Sequence, residues 1–169
     1  MRQIKKAIPN LEEFRDYFRS LIPLMAPSHS SLTGRRLELW IFNQVNLGSG
    51  KVSPGFCDDR LYAFTQRIYP GCNIGLLTYH GSERGGSSGL IRSHRDHTYA
   101  MPQALSINLG IADFEINGVT HRLGDGDIWE FNCKEPHAIP AIHTAERFSL
   151  VLWQLNKRKG YECTMPINW

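Results

Sequence analysis

The sequence lacks a long apolar run. Its longest runs, such as residues 139–142, are only a few residues, whereas a helix needs about 20 apolar residues to cross a bilayer. The basic residues near the start are not followed by the apolar stretch of about 7 to 15 residues that marks a secretory signal. We therefore expect a cytoplasmic protein without a membrane partner.

Cysteine is scarce and charge is nearly balanced. The four cysteines include no Cys-x-x-Cys pair, which argues against both a disulfide framework and a zinc knuckle. The net charge of +3 comes from 19 basic and 16 acidic residues. This excess is too small to indicate an anionic substrate or a polynucleotide by itself.

The composition is that of a packed protein. Hydrophobic residues make up 41%, charged residues 21% and aromatic residues 11% of the chain, which excludes disorder for most of it. The length of 169 residues predicts one domain. We expect a helical extension over residues 1–36, a β core over 37–155 and a tail over 156–169.

One amphipathic helix is predicted near residues 11–22. Asn10 can cap it, and Glu13 follows at the spacing of a capping box. Apolar residues recur at helical spacing, namely Leu11, Phe14, Phe18, Leu21, Ile22 and Met25. The turn-forming residues of 23–34 predict a loop after it.

From Leu37 onward the pattern is typical of β structure. Asn117-Gly118 supplies the two positive-φ positions of a type I′ turn, so a hairpin is predicted there. His80 to Ser88 contains a row of small residues and predicts a mobile surface loop. Further strands are predicted at residues 73–79, 104–110, 127–131, 137–142 and 147–155. Seven or more short strands indicate a sandwich, jelly roll or barrel.

A candidate metal site starts from His94 and Asp96. On an extended segment, side chains two positions apart project to the same face, so both could bind one ion; a surface polar pair is the plainer interpretation. Downstream come Gly126-Asp127, then His137, and then Arg147 and Ser149. The spacing between Asp127 and His137 equals that between His137 and Arg147.

The order His-x-Asp, Gly-Asp-x-x-x-Phe, His and Arg-x-Ser resembles the iron(II)- and 2-oxoglutarate-dependent dioxygenases over residues 73–155. The resemblance implies a mainly β double-stranded β-helix, or jelly roll, here with an N-terminal helix. It implies His94, Asp96 and His137 as ligands of iron(II). Two imidazoles and one carboxylate leave three octahedral positions open, which suits a bidentate 2-oxo acid and O2.

The resemblance also implies the co-substrate site and the reaction. Arg147 and Ser149 would bind the distal carboxylate of 2-oxoglutarate, because a guanidinium fork matches a carboxylate. Tyr79 and Asn108 are the further contacts expected. The implied activity is hydroxylation or oxidative dealkylation of an unidentified substrate, coupled to conversion of 2-oxoglutarate to succinate.

Several residues compete for these roles. His143 could replace His137, which we favour for its spacings, although Pro140 leaves the shared face uncertain. His97 should face away from Asp96, and Cys133 is most simply a buried thiol. The remaining histidines are expected to be solvated and without a metal role, namely His29, His80 and His121.

The substrate is left open by the sequence. AlkB-type nucleic-acid dealkylases normally carry a second arginine where this chain has Trp153, so a small-molecule substrate is favoured, while nucleic acid and protein remain possible. Arg84, Arg92 and Arg95 could steer an anionic substrate. The alternative from another class is a cupin-like metal- or metabolite-binding module without redox turnover.

Overall fold

A computed structural model describes residues 1–4 and 8–164 of the chain. Two α-helices are present, α1 (Leu11–Leu21) and α2 (Asp59–Ile68). The strands are β1 (Arg2–Gln3), β2 (Ala26–Pro27), β3 (Leu37–Ile41), β4 (Asn43–Val45), β5 (Val52–Pro54), β6 (Ile74–Gly81), β7 (Ile91–His94), β8 (Gln103–Leu109), β9 (Ala112–Ile116), β10 (Val119–Leu123), β11 (Ile128–Asn132), β12 (His137–Ile142) and β13 (Glu146–Trp153). Within the described residues, no helix is long and apolar enough to span a membrane.

Two antiparallel sheets form the core. The larger sheet has seven strands in the order β1-β11-β8-β13-β6-β3-β2, and the smaller has four in the order β10-β9-β12-β7. The sheets pack face to face, since Phe114 on β9 contacts Phe131 on β11 with ring centroids 5.0 Å apart. The predicted mainly β fold with an N-terminal helix is confirmed, and its sandwich of two sheets leaves room for a site between them.

Helix α1 covers the outer face of the larger sheet. The Asn10 side chain accepts a hydrogen bond from the backbone N–H of Glu13, as the capping pattern predicts. Phe18 is fully buried, and its ring centroid lies 5.7 Å from that of Phe148 on β13. The outer face is therefore apolar and closed, whereas the inner face is available for polar side chains.

Helix α2 was not predicted from the sequence, although the chain after Leu37 is mostly β, as expected. Asp58 caps this helix, and its carboxylate accepts a hydrogen bond from the backbone N–H of Leu61 at 2.8 Å. The buried residues follow a helical period, namely Leu61, Phe64, Thr65 and Ile68. Asp58 and this buried period are local helix signals, although no element was predicted over these residues.

The predicted hairpin is confirmed. β9 and β10 pair with Ile116 opposite Val119, and the turn residues Asn117 and Gly118 have φ values of 52° and 76°. Both positive φ values match a type I′ turn, which suits the twist of the flanking strands.

The predicted loop at residues 80–88 is shorter than expected. His80 and Gly81 belong to β6, and His80 is buried rather than solvated. Ser88 is also buried, and its hydroxyl donates a hydrogen bond to the carbonyl of Arg35 at 2.9 Å. Mobility of the remaining segment stays a prediction.

The tail is described only in part. Residues Lys157–Lys159 form a single helical turn, and the backbone N–H of Thr164 donates to Asn43 Oδ1 at 3.1 Å. The last five positions of the predicted tail lie outside the described residues.

Candidate metal centre and adjoining cavity

The three predicted ligands come together on the smaller sheet. His94 ends β7 and His137 begins β12, and the two are directly opposite each other in the antiparallel pair. Asp96 follows β7, with its Oδ1 lying 3.4 Å from His94 Nε2 and 3.5 Å from His137 Nε2. The ligand atoms all lie within 4.8 Å of one another. This geometry can hold one divalent ion.

Both imidazoles are oriented by backbone carbonyls. His94 Nδ1 lies 2.9 Å from the carbonyl oxygen of Arg92, and His137 Nδ1 lies 2.8 Å from that of Glu135. A carbonyl can only accept, so Nδ1 is the donor in each contact and Nε2 is the ring nitrogen that faces Asp96. Hydrogen bonding of the second ring nitrogen is the usual support of metal-binding histidines.

Asp96 interacts with a backbone carbonyl, a tryptophan indole and the two imidazoles. Its backbone N–H donates to the carbonyl of Cys133 at 2.9 Å, and its Oδ2 accepts from Trp153 Nε1 at 2.9 Å. Burial alone would raise the pKa of Asp96, but its interactions with His137 and His94 hold that pKa below the usual range of the carboxyl. The group is therefore an anion at neutral pH, which suits metal coordination.

Trp153 contacts a candidate metal ligand, which the sequence did not reveal. It stands where the resemblance to AlkB-type enzymes implies a second arginine, and here its indole donates a hydrogen bond to the Asp96 carboxylate. We expect Trp153→Phe to weaken iron(II) binding by about tenfold, the lower end of the effect of lost support around a metal site. Anaerobic metal titration measures this.

Trp129→Phe is the matched control for that substitution. Trp129 Nε1 donates to Asp127 at 3.4 Å, and neither residue is a metal-ligand candidate. Equal iron(II) affinities for Trp153→Phe and the unmodified protein would exclude the indole from positioning Asp96.

The competing candidates lie elsewhere. His143 is exposed, and its Nε2 lies 2.9 Å from Asp113 Oδ2, on the outer side of β9. His97 stacks over Tyr99 with ring centroids 6.4 Å apart and lines the cavity without joining the ligand group. Burial raises the pKa of Cys133 to about 12, which is the behaviour of an inert buried thiol.

A cavity of about 200 Å³ opens beside the three ligands, between the sheets. Part of its lining comes from the inner face of the larger sheet. Side chains alternate between the two faces of a strand, so every second residue of β13 projects into the cavity. These residues are Arg147, Ser149, Val151 and Trp153. The metal ligands and Arg147 therefore border the same space.

Arg147 is buried with unused hydrogen-bond donors. Its Nε donates to Asn108 Oδ1 at 2.7 Å, and the residue is 4% exposed. In the part of the chain that the structure describes, no other hydrogen-bond partner and no ion-pair partner faces this guanidinium. Burial and the neighbouring Arg36 lower the pKa of Arg147 to about 10. It is therefore charged at neutral pH and lacks a counter-ion.

The other predicted co-substrate contacts divide between the cavity and the outer face. Ser149 lines the cavity. Asn108 acts through Arg147, because its amide donates to the carbonyls of Gly110 and Gly124 while its oxygen receives the guanidinium. Tyr79 points to the opposite face of β6 and packs on Phe148, with ring centroids 5.1 Å apart.

The placement of Tyr79 corrects its expected role. Alternation along β6 brings the preceding residue, Thr78, into the cavity instead. The phenol of Tyr79 donates to Glu83 at 3.2 Å, away from the metal ligands.

A second arginine, Arg36, also lines the cavity, and the sequence analysis missed it. It directly precedes β3, at the end of the N-terminal extension predicted over residues 1–36. Its Nη2 donates to Glu38 Oε2 at 3.2 Å, and its side chain is 12% exposed. Its Nε is buried and has no hydrogen-bond partner within residues 1–4 and 8–164. Leaving a buried donor unpaired costs about 1–3 kcal/mol. The sequence signal available for this placement was the two-residue spacing of Arg36 and Glu38, which puts both side chains on one face of an extended segment.

The three arginines that were expected to steer an anion each donate a hydrogen bond to a backbone carbonyl of a nearby loop. Arg84 Nε donates to the carbonyl of Arg35 at 2.8 Å. Arg92 donates to the carbonyl of Ser31, and Arg95 to that of Lys134. These side chains connect loops around the cavity, although their charges remain.

Comparison by sequence finds no relative: no family model matches, and no curated protein matches. Comparison by structure does find relatives. OsALKBH1 superposes with a TM-score of 0.64 at 15% identity, covering 90% of this chain and 95% of that chain. A Pseudomonas putida prolyl-4-hydroxylase superposes with a TM-score of 0.59 at 16% identity, and the match covers 92% of each chain.

A third similar structure is a Trichoplax adhaerens prolyl hydroxylase in complex with a hypoxia inducible factor peptide fragment. It gives a TM-score of 0.60 at 13% identity, covering 94% of this chain and 84% of that chain. A Burkholderia pseudomallei structure that also matches is described as a member of the 2OG-Fe(II) oxygenase family. Together with the antiparallel sheets and the grouped His94, Asp96 and His137, these likenesses show that the chain has the fold of the iron(II)- and 2-oxoglutarate-dependent oxygenases.

Proposed function

We propose that this protein is an iron(II)- and 2-oxoglutarate-dependent dioxygenase that oxidises a second substrate while 2-oxoglutarate is converted to succinate. The observation that carries this proposal is the shared cavity. Two imidazole nitrogens and one carboxylate oxygen meet at its wall, and a buried arginine that has no counter-ion among the described residues lines the same space.

The donor set fits iron(II). Two neutral imidazoles and one carboxylate form the arrangement that leaves half of an octahedral sphere open in non-haem iron oxygenases. The carbonyl contacts of both Nδ1 atoms and the tryptophan contact of Asp96 orient all three donors. Bound iron(II) with O2 and 2-oxoglutarate would supply the oxidising chemistry, which the protein itself lacks.

The residues of the chain would bind and orient the co-substrate. Arg147 offers two terminal nitrogens to a carboxylate, in the planar geometry that gives bidentate pairs. Asn108 holds that guanidinium in position through Nε. Ser149 lies two residues along the same strand face and can donate its hydroxyl to the same carboxylate. Aromatic side chains around the metal ligands, including Phe114 and Phe131, limit access of water.

A small-molecule substrate agrees best with the size of the cavity. Its volume of about 200 Å³ is below the roughly 300–1,000 Å³ of pockets for drug-sized ligands. Among the similar structures, one is an AlkB homologue and another holds a peptide. Nucleic-acid and protein substrates therefore stay as alternatives to be tested.

Anaerobic addition of iron(II) and then 2-oxoglutarate tests the proposal. We expect a weak visible charge-transfer absorption that needs both components, and in air we expect succinate formation that needs iron(II). A cupin-like binding module would take up metal without either signal. Absence of both signals at saturating ligand would reject the oxygenase function.

A further inference from the structure

Arg36 has no role in the proposed co-substrate site. One carboxylate of 2-oxoglutarate would pair with Arg147 and Ser149, and the 2-oxo acid end would bind the metal. Arg36 nevertheless lines the same cavity, and it keeps a buried Nε without a hydrogen-bond partner. Its Nη1 likewise has no partner among the described residues but is not fully buried, so this guanidinium keeps a donor that a ligand can reach.

The segment before β3 brings Arg36 towards the metal ligands. Residues 32–34 lie along β7. The backbone N–H of Arg92 donates to the carbonyl of Leu32 at 2.9 Å, and the backbone N–H of Gly34 donates to the carbonyl of Leu90 at 3.1 Å. β7 ends at His94. Arg36 is also close enough to Asp96 for their charges to interact. An anion bound by Arg36 would therefore lie beside the metal centre.

Glu38 acts as a support for Arg36 rather than as its complete counter-ion. The two side chains share one strand face and meet through a single contact, Nη2 to Oε2 at 3.2 Å. Nη1 has no partner among the described residues and is not among the fully buried polar atoms. Glu38 thus holds the guanidinium while leaving donors available to a ligand.

The cavity that Arg36 lines also has apolar walls. Trp40 and Tyr99 line the same cavity with ring centroids 5.9 Å apart, and Tyr99 contacts Trp153 at the same distance. Leu32 and Leu47 complete this part of the wall. A ligand that satisfies this region combines one anionic group with an apolar body.

We propose that Arg36 binds the carboxylate of the oxidised substrate, and that this substrate is a small carboxylic acid with an apolar body. The inference rests on the proposed function and specifies its substrate class. Arg147 binds the co-substrate carboxylate and Arg36 binds that of the substrate, so the two guanidinium groups serve two different ligands.

Calorimetric titration of the full chain tests this assignment, with iron(II) and saturating 2-oxoglutarate present and oxygen excluded. The probes are butanoate, hexanoate and 3-phenylpropanoate, each compared with its neutral amide. We expect at least one acid to bind about tenfold more tightly than its amide, the lower end of a hydrogen bond to a charged group. Arg36→Gln removes that preference.

Arg35→Gln is the matched control, because Arg35 is exposed and adjacent in sequence. It keeps the preference for the acid. Arg36→Lys retains the charge and keeps a preference for the acid, which provides a second variant if Arg36→Gln does not fold. Because Arg36 neighbours Arg147, the 2-oxoglutarate requirement of uncoupled succinate formation by Arg36→Gln is compared with that of Arg147→Gln, and it rises less.

Two results would overturn the assignment. The first is the lack of an acid preference in all three probe pairs. The second is a 2-oxoglutarate requirement raised in Arg36→Gln as much as in Arg147→Gln, which would place Arg36 in the co-substrate site. Failure of the proposed function is distinguishable, because the absorption that needs iron(II) and 2-oxoglutarate is recorded on the same sample before any probe is added.

Discussion

Asp96→Ala abolishes 2-oxoglutarate turnover and iron(II) binding. Loss of a residue that merely supports a metal ligand costs about 10–100-fold in affinity or activity, so loss of the carboxylate ligand should exceed 100-fold. His94→Ala should behave alike, since both donors lie within 4.8 Å of the third. Succinate formation and anaerobic metal titration measure the two effects.

Thermal unfolding gives an independent measurement of the same prediction. A ligand that binds only the folded state stabilises it, by about 2.7 kcal/mol at 100 times its dissociation constant. Iron(II) should therefore raise the unfolding midpoint of the unmodified protein and leave that of Asp96→Ala unchanged.

Asp113→Ala provides the matched control for Asp96→Ala. Asp113 also pairs with a histidine, at 2.9 Å from His143 Nε2, but its other partner is the exposed Arg122. Loss of this carboxylate should leave iron(II) binding and turnover nearly unchanged. If Asp96→Ala retained turnover within a few-fold of Asp113→Ala, the proposed metal centre would be wrong.

Arg147→Gln raises the 2-oxoglutarate requirement about ten- to a hundredfold while leaving iron(II) binding intact. A hydrogen bond to a charged group contributes about 1.5–3 kcal/mol, and each 1.4 kcal/mol corresponds to a factor of ten. Glutamine removes the charge but can still donate to Asn108, so the buried amide keeps a partner. Succinate formation across a range of 2-oxoglutarate concentrations measures the requirement.

Arg122→Gln is the control for the arginine substitution, because Arg122 is exposed and pairs with Asp113 on the smaller sheet. Its 2-oxoglutarate requirement should match that of the unmodified protein. An unchanged requirement in Arg147→Gln would assign Arg147 to structure alone, with its charge held by the fold rather than by a ligand.

Local patterns account for most of the predicted elements. The cap at Asn10, the Asn117-Gly118 turn and the alternating strands each depend on neighbouring residues, so they could be recognised in the sequence. Helix α2 had a comparable signal in Asp58 and the buried period after it, yet no helix was predicted there, because the runs around it are typical of β structure. Competing local preferences of this kind are decided by packing.

The metal ligands could be proposed from residue types, order and spacing. The choice of His137 over His143 was supported by sequence spacing, and the structure brings only His137 of these two into the ligand group. Tyr79 shows the limit of such reasoning. A shift of one residue along a strand reverses the face, and the aromatic residue that matched the family pattern lies outside the cavity.

The sequence by itself determined that the chain is a packed, mainly β protein with one capped N-terminal helix and a His-x-Asp, His, Arg-x-Ser order. These properties follow from composition, periodicity and turn chemistry, which act over a few residues. Only the tertiary structure decided that Trp153 orients Asp96, that Asn108 holds Arg147 and that Arg36 enters the same cavity. Such contacts join residues far apart in the chain, and they arise from the pairing of strands and the stacking of two sheets.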